Sequence, residues 1–311
     1  MKPEGWPAIL TFAGTWAAPG TGFPSDIARG CADVAEEIPV QGPNSFGPIP
    51  PGDFHAPSYE ESVVISADWA INWTISNSNR PVIPIGYSQG GEAASRYRME
   101  FEDGGRLAHF RANFVCGVAL GNPSRHYQTT YYGGPETPWE GIALYRLPQQ
   151  GNEWCELIEP GDLYGTCARG LTGEIERDVY TMCTQMEMHS GAVEFARTFA
   201  ANCVEIAQNL DGDAFDDAVA NSEYVDPSAV AGAELLPPEQ LTAEEDKILS
   251  VKGISAAIAA AIDGLIFFCS PPFPTAAHCE YHIREVWPGM TYVGLGIQHV
   301  HDWVRSYQGA Q

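Results

Sequence analysis

The sequence predicts an α/β fold with a central parallel sheet flanked by helices. Short apolar runs typical of buried strands alternate with segments of helical spacing through the first half of the 311 residues. One run, "FVCGVALG" at residues 114–121, is apolar on both faces, as expected of a strand in the middle of a parallel sheet. A chain of this length also has enough apolar surface for one large core.

The first elements follow in chain order. A strand is predicted at residues 8–14, where "AILTFAG" is short, apolar and partly β-branched. Residues 17–58 are so rich in Pro and Gly that we expect an ordered surface loop without long elements. A helix is predicted at residues 60–79 by apolar positions three and four residues apart. These positions are Val64, Ala67, Ile71 and Ile75.

The alternation continues toward the centre of the sheet. The run "VIPIG" predicts a strand at residues 82–86, and a helix is expected at residues 92–102 before the central strand. The segments "GIALYRL" and "EWCELI", residues 141–147 and 153–158, are two more strand candidates. Strands that alternate with helices pair in parallel, because each helix carries the chain back across the sheet.

The chain is expected to comprise a core, an insert and a return to the core. Residues 1–170 hold the predicted sheet. The pattern of residues 171–268 indicates helices throughout, and we expect this helical insert to flank the cleft like a lid. Residues 269–311 return to the core through a histidine-bearing loop and a C-terminal amphipathic helix. The apolar face of that helix consists of Val293, Ile297, Val300, Val304 and Tyr307.

Composition argues against several classes of function. A formal net charge of -24 at pH 7 makes nucleic acid a poor partner, because that binding depends on clustered Lys and Arg. The most apolar stretch, residues 253–270, is interrupted by Asp263 and falls short of the roughly 20 residues of a transmembrane helix. We therefore expect a buried helix there and no transmembrane segment. The N-terminus lacks the apolar run of a signal peptide.

The sequence predicts neither a metal site nor a cofactor. The eight cysteines include no C-x-x-C pair, which gives a structural zinc site little support. The aspartate cluster at residues 211–219 has Phe215 where a calcium loop needs an oxygen ligand, so a solvated acidic loop is expected. No phosphate- or dinucleotide-binding glycine pattern stands at a predicted strand end.

One serine stands where a strand gives way to a helix. Gly86, Ser88 and Gly90 in "GYSQG" fit the pattern G-x-S-x-G, in which small residues flank a sharp turn that exposes the serine hydroxyl. The pattern alone is weak, and a serine that merely caps the helix is the alternative. The apolar strand before it and the helix after it favour a nucleophile.

A nucleophilic serine needs a general base, which in this type of fold follows it in the chain. His278 lies on a loop after a proline-rich break, just before the final helix, where a general base is well placed, and His282 is its nearest rival. His299 and His301 fall in the predicted C-terminal helix and His189 in the insert, where histidines usually have structural roles.

The base in turn needs a carboxylate that fixes its tautomer. Asp162 lies in a Pro-Gly-Asp turn directly after an apolar strand, and Glu156 and Glu159 are weaker rivals. Cys155 and Cys167 bracket this turn. A disulfide between them would hold the turn rigid, and two separate core thiols are the alternative.

Stabilising an oxyanion requires preorganised donors. The backbone N–H of Gln89, the residue after the serine, is one such donor in a turn of this kind. The loop that follows the first strand, "FAGTW", can supply a second donor through Thr15.

These motifs together resemble a known enzyme family. "GYSQGGEAASR" resembles the serine motif of the cutinase-like serine esterases, and "WCELIEPGDLYGTC" with "AAHCEY" resembles their aspartate turn and histidine loop. Within that group, "LTFAGTWAAPGTG", "ALGNPSRH" and "PGDLYG", with a helical insert before the histidine, are similar to the lysin B proteins of mycobacteriophages. The resemblance covers residues 10–281.

The resemblance implies an α/β-hydrolase fold and cofactor-free ester hydrolysis, with Ser88 as nucleophile, Asp162 as acid, His278 as base and Thr15 with Gln89 as the oxyanion pair. Lysin B proteins cleave the ester that joins mycolic acids to arabinogalactan in the mycobacterial envelope. The implied partner is that lipid-ester substrate, and we expect a monomer. The implied site of action is the host envelope, reached from the host cytoplasm after the membrane is breached.

Two other functions stay open at the level of sequence. Residues 17–58 and 124–150 are long for this family, which leaves the acyl-chain specificity open. The second hypothesis is a general lipase or cutinase that acts on acylglycerols or polyesters. The third hypothesis is a non-catalytic, envelope-binding virion component that keeps the fold.

Overall fold

The structure is a computed structural model that describes residues 5–47, 55–131, 133–167 and 276–309, with a few single positions between 169 and 184. The predicted helical insert at residues 171–268 lies outside the described residues apart from some of those positions. The predicted domain boundaries around the insert therefore stay predictions.

Five parallel strands form the central sheet in the order β2-β1-β3-β4-β5. They are β1 (Ala8–Phe12), β2 (Glu36–Pro39), β3 (Val82–Tyr87), β4 (Gly117–Leu120) and β5 (Trp154–Leu157). The chain passes from β1 to β2 on one side and then to β3 on the other, so the strand order reverses between β1 and β3. The crevice at the carboxyl ends of such a pair is where ligands bind in open α/β sheets.

Helices cover both faces of the sheet. On one face lie α1 (Phe23–Gly30) and the C-terminal helix α5 (Tyr292–Gly309), and on the other lie α2 (Tyr59–Ser76) and α3 (Gln89–Met99). The sheet has a hydrophobic core on each face, and alternate residues of a strand belong to different cores because successive side chains point to opposite faces. Val82 contributes to the core under α2 and α3, and Ile83 to the core under α1 and α5.

Residues 17–58 contain α1 and β2, so the prediction of a loop without long elements was wrong. Pro24 is tolerated in the first turn of α1, where no backbone N–H is needed for the helix. β2 has the sequence Glu-Glu-Ile-Pro and lies at the edge of the sheet, where Pro39 and partly exposed side chains are allowed. Glu36 pairs there with Arg80 at 3.0 Å.

Other predicted elements differ in detail. Residues 141–147 form no strand, because their backbone bonds to loops: the N–H of Ile142 donates to the carbonyl of Tyr164, and that of Ala143 to the carbonyl of Pro123, both at 2.9 Å. The candidate at residues 153–158 is confirmed as β5. A short helix α4 (Ala276–Cys279) and a hairpin of β6 (Glu285–Trp287) with β7 (Met290–Thr291) precede α5.

The predicted apolar face of α2 was partly wrong. Ala67 and Ile71 are buried as expected, but Val64 and Ile75 are exposed, and Val63 is buried in place of Val64. The helix begins at a capping box in which the Ser58 side chain and backbone bond reciprocally with Glu61. The predicted face of α5 is confirmed, with Val293, Val300 and Val304 buried and Ile297 and Tyr307 packed against them. No helix among the described residues is long and apolar enough to cross a membrane.

Candidate active site

Ser88 lies in a strained turn between β3 and α3. Its φ of 56° and ψ of -124° are rarely adopted by residues other than glycine, and such strain persists only where the surrounding structure holds it. A Cβ on Gly86 would lie 2.2 Å from the carbonyl oxygen of Gly90, and one on Gly90 would lie 2.2 Å from that of Phe12. Both glycines of the G-x-S-x-G pattern are therefore required by close backbone packing.

His278 and Asp162 form a buried hydrogen-bonded pair. Nδ1 of His278 lies 2.9 Å from Oδ2 of Asp162, and the side chains are almost completely buried. The second carboxylate oxygen, Oδ1, accepts from the backbone N–H of Tyr164 at 3.2 Å. With the proton on Nδ1 facing the carboxylate, Nε2 is the nitrogen that can act as a base.

Two aromatic rings hold the imidazole of His278 in place. The ring centroids of Tyr87 and Tyr164 lie 4.7 Å and 4.6 Å from that of His278. The Tyr87 hydroxyl also donates to the backbone carbonyl of His278 at 2.9 Å, and burial followed by the charge of Asp162 raises the pKa of Tyr87. Tyr87 directly precedes Ser88 in the chain, so these contacts place the imidazole beside the serine turn.

The Asp162–His278 pair fits beside Gly121, the residue after β4, because glycine has no side chain. Its φ is 52°, and a Cβ there would lie 2.4 Å from Oδ2 of Asp162 and 2.9 Å from Nδ1 of His278. Sequence reasoning did not find Gly121, Tyr87 or Tyr164. The position of Gly121 directly after an apolar strand was the available signal for it, whereas the ring contacts join residues far apart in the chain.

The rival bases lie elsewhere. His282 is exposed and stacks on Phe23, with ring centroids 5.6 Å apart. Nε2 of His299 lies 3.1 Å from the carbonyl oxygen of Glu153, and burial lowers the pKa of His299. His301 lies against the end of α1, with Nε2 3.3 Å from the carbonyl oxygen of Gly30 and 3.5 Å from a carboxylate oxygen of Asp33. His189 lies outside the described residues.

The rival acids have other partners. Glu159 pairs with Arg284 at 2.7 Å. Glu156 points into the core from β5 and accepts from the side chains of Asn122 and Trp154. Of the three carboxylates, Asp162 is the one within hydrogen-bonding distance of a histidine.

The two predicted oxyanion donors follow adjacent strands, Gln89 after β3 and Thr15 after β1. Gln89 is the first residue of α3, where a backbone N–H has no partner within the helix. Its side chain is anchored, since Nε2 donates to the carbonyl of Ser45 at 2.8 Å and Oε1 accepts from Ser62 at 3.1 Å. Thr15 lies in the turn after β1, and the neighbouring Gly14 packs against the ring of Tyr87.

Cys155 and Cys167 are not joined by a disulfide, so that hypothesis was wrong and the alternative of two core thiols is correct. Cys155 belongs to the core under α1 and α5, and Cys167 to the core on the opposite face. The sheet therefore separates them, although their spacing in the sequence brackets the aspartate turn.

The part of the chain that the structure describes contains no cluster of three or more His, Cys, Asp or Glu side chains that could hold a metal ion. Among the described residues, the serine turn lies beside the Asp162–His278 pair through the contacts of Tyr87. Such a set is suited to covalent catalysis by an activated serine.

The parallel sheet, its strand order, the flanking helices and the strained serine turn define an α/β-hydrolase fold, which confirms that prediction, while the predicted helical insert lies outside the described residues. In particular, the chain is similar in structure to lysin B from Mycobacteriophage D29, at 18% sequence identity and a TM-score of 0.58, over 96% of this chain and 100% of that one. No protein-family profile and no curated protein sequence matches the chain.

Two further solved structures align over smaller parts of the chain. The catalytic core domain of acetyl xylan esterase from Trichoderma reesei aligns at 15% identity and a TM-score of 0.41, over 63% of this chain and 99% of that one. A cutinase-like protein from Cryptococcus sp. aligns at 15% identity and a TM-score of 0.36, over 48% and 74%. At these identities the similarity to lysin B establishes the fold, and function has to be argued from the site.

Proposed function

We propose that the protein is a serine esterase with Ser88 as nucleophile, His278 as general base and Asp162 as the acid that orients it. The observation that carries the proposal is the buried 2.9 Å hydrogen bond between His278 and Asp162. The imidazole of this pair stacks on Tyr87, which directly precedes the strained Ser88. A serine that merely capped α3 would bond to the first turn of the helix, and Ser88 makes no such side-chain bond.

The proposed reaction follows from this geometry. His278 takes the proton of Ser88 through Nε2 while the serine oxygen attacks the ester carbonyl. The backbone N–H groups of Gln89 and Thr15 stabilise the oxyanion that forms. The alcohol leaves with the proton from His278, and water then releases the acid from the acyl-enzyme by the same steps. Asp162 stabilises the imidazolium throughout.

We propose further that the substrate is the ester between mycolic acids and arabinogalactan in the mycobacterial envelope. The motif resemblance to lysin B proteins and the similarity of the fold to lysin B from Mycobacteriophage D29 support this choice. On this proposal the protein acts at the host envelope after the membrane is breached and works as a monomer without a cofactor.

The first test asks whether Ser88 is an activated nucleophile. Wild-type protein should hydrolyse p-nitrophenyl esters and react with a fluorophosphonate probe, and Ser88→Ala should lose both properties while it keeps its circular dichroism spectrum. Ser66→Ala is the matched control, since Ser66 is also buried but bonds only within α2, and it should keep both. Labelling of Ser88→Ala at the wild-type level would contradict the assignment, and an unlabelled wild-type protein would indicate a non-catalytic envelope component.

The second test concerns the substrate. Mycolyl-arabinogalactan and a long-chain triglyceride should be compared at matched ester concentration, with release of free fatty acid measured for each. The proposal expects faster turnover of mycolyl-arabinogalactan. Faster turnover of the triglyceride would favour a general lipase and contradict the proposed substrate, while leaving the catalytic assignment intact.

A further inference from the structure

Tyr281 donates a hydrogen bond to the same carboxylate oxygen that the imidazole uses. Its hydroxyl lies 2.5 Å from Oδ2 of Asp162, and Nδ1 of His278 lies 2.9 Å from that oxygen. His278 and Tyr281 are three residues apart, so a single segment at the end of α4 brings both donors to one carboxylate. Tyr281 is completely buried.

The direction of this bond is fixed by a second contact. The backbone N–H of Glu159 donates to the hydroxyl oxygen of Tyr281 at 3.3 Å. A phenol carries one proton, and an oxygen that accepts from an N–H directs its own proton elsewhere, here to Asp162. Burial and the nearby charge of Asp162 raise the pKa of Tyr281 well above its ordinary value, in keeping with a neutral phenol that always donates.

The phenol ring of Tyr281 is packed among other aromatic rings. The ring of Tyr281 contacts Tyr292 edge-on at 5.3 Å between centroids, and Phe23 at 5.9 Å. These contacts lie in the core under α1 and α5. Because the ring is packed in the core, its hydroxyl is held between the carboxylate of Asp162 and the backbone N–H of Glu159, in the turn that carries the aspartate.

We propose that Tyr281 is a positioning residue for the Asp162–His278 pair, an inference that rests on the proposed function. It fixes the orientation of the carboxylate and accepts part of its negative charge. Without the phenol, Asp162 is less well oriented, and more of its charge acts on the imidazole, which favours the protonated ring. Among the described residues, the groups that also lie against the pair include the Tyr164 backbone N–H and ring and the Tyr87 ring and hydroxyl, with Cys279 beside Tyr87.

The test is Tyr281→Phe, which removes the hydroxyl and keeps the ring. A hydrogen bond to a charged group is worth enough to change a rate by roughly tenfold or more. We expect kcat on a soluble ester to fall about tenfold with little change in KM, and the acidic limb of kcat/KM to move to higher pH by about half a pH unit.

Tyr97→Phe is the matched control. Tyr97 is a completely buried phenol that bonds to Thr74 at 2.7 Å on the other face of the sheet, away from Asp162. Removing the Tyr97 hydroxyl should lower the free energy of unfolding by about as much as removing the Tyr281 hydroxyl does, but it should leave kcat and the pH profile unchanged. If Tyr97→Phe and Tyr281→Phe reduced kcat equally, with no movement of the acidic limb in either, the role of Tyr281 would be structural only and the proposal overturned.

A measurement that does not depend on activity separates this proposal from the proposed function. The pKa of His278 can be read from an NMR titration of the imidazole in Ser88→Ala and in Ser88→Ala/Tyr281→Phe. A higher pKa in the double variant supports the role of Tyr281 even if the wild-type protein hydrolyses no ester. An unchanged pKa of His278 overturns it even if the wild-type protein is a fast esterase.

Discussion

Replacing Glu156 by Gln should stabilise the protein above neutral pH. Glu156 lies in β5 and is almost completely buried, and one of its carboxylate oxygens accepts from Trp154 Nε1 at 2.7 Å and from Asn122 Nδ2 at 2.9 Å. Burial raises the pKa of Glu156 to about 7, although these hydrogen bonds and the charge of Arg125 act in the opposite direction. The ionised carboxylate is therefore a destabilising element in the folded protein.

The magnitude follows from that pKa. A pKa of about 7 in place of an ordinary 4.5, at about 1.4 kcal/mol for each tenfold change in acidity, makes the ionised form cost about 3 kcal/mol in the folded state. Between pH 4.5 and about pH 7 the folded protein binds more protons than the unfolded chain. The free energy of unfolding therefore falls as pH rises through this range and becomes constant above it. About 2 kcal/mol of the difference falls between pH 5.5 and 8.5.

Urea unfolding of the wild-type protein and of Glu156→Gln at several pH values measures how the free energy of unfolding depends on pH. The advantage of Glu156→Gln should grow by about 2 kcal/mol from pH 5.5 to pH 8.5, since glutamine keeps the carbonyl acceptor without the charge. Glu285→Gln, which removes an exposed carboxylate of β6, should show no such growth. An advantage that is absent or independent of pH would refute the reasoning, since Glu156 would then ionise normally or pair fully with Arg125.

Two further predictions test the local structure around the site. Gly90→Ala should lower the free energy of unfolding by about 2 kcal/mol or more, measured in urea, because its Cβ would lie 2.2 Å from the carbonyl oxygen of Phe12; a wild-type value would show that the turn can relax. Ser58→Ala should cost about 1 kcal/mol by loss of the capping box of α2, and Ser76→Ala at the exposed end of the same helix should cost much less; equal losses would contradict the role of the cap.

The parts of the fold that were predicted correctly have strong local signals. β1, β3, β4 and β5 are apolar runs, and burial on both faces of a sheet requires such runs. β2 has no comparable signal, because its four side chains are only half-buried and include Glu36, Glu37 and Pro39, whereas β5, at the other edge of the sheet, is fully buried. Residues 141–147 show the reverse case, since they are apolar and partly buried without bonding to the sheet.

The residues of the candidate site also differ in whether a local sequence pattern predicts them. Ser88 lies in a motif whose glycines are dictated by local backbone contacts, so a single stretch of sequence predicts it. The positions of Asp162 after a strand and of His278 before the last helix favour these two residues, but the sequence leaves the choice between His278 and His282 open. The contacts of Tyr87 and Tyr281 with this pair span 191 and 119 residues of sequence, and no local pattern encodes such distances.

The strand order explains why a glycine ends β4. Ser88 follows β3 and Asp162 follows β5, and β4 lies between these two strands in the sheet. Any base that contacts both residues must therefore pass over the carboxyl end of β4, where His278 and the carboxylate of Asp162 lie within 3 Å of where a Cβ of residue 121 would be. Gly121 thus leaves the space in which the Asp162–His278 pair lies, and in the proposed site this space matters as much as the polar side chains do.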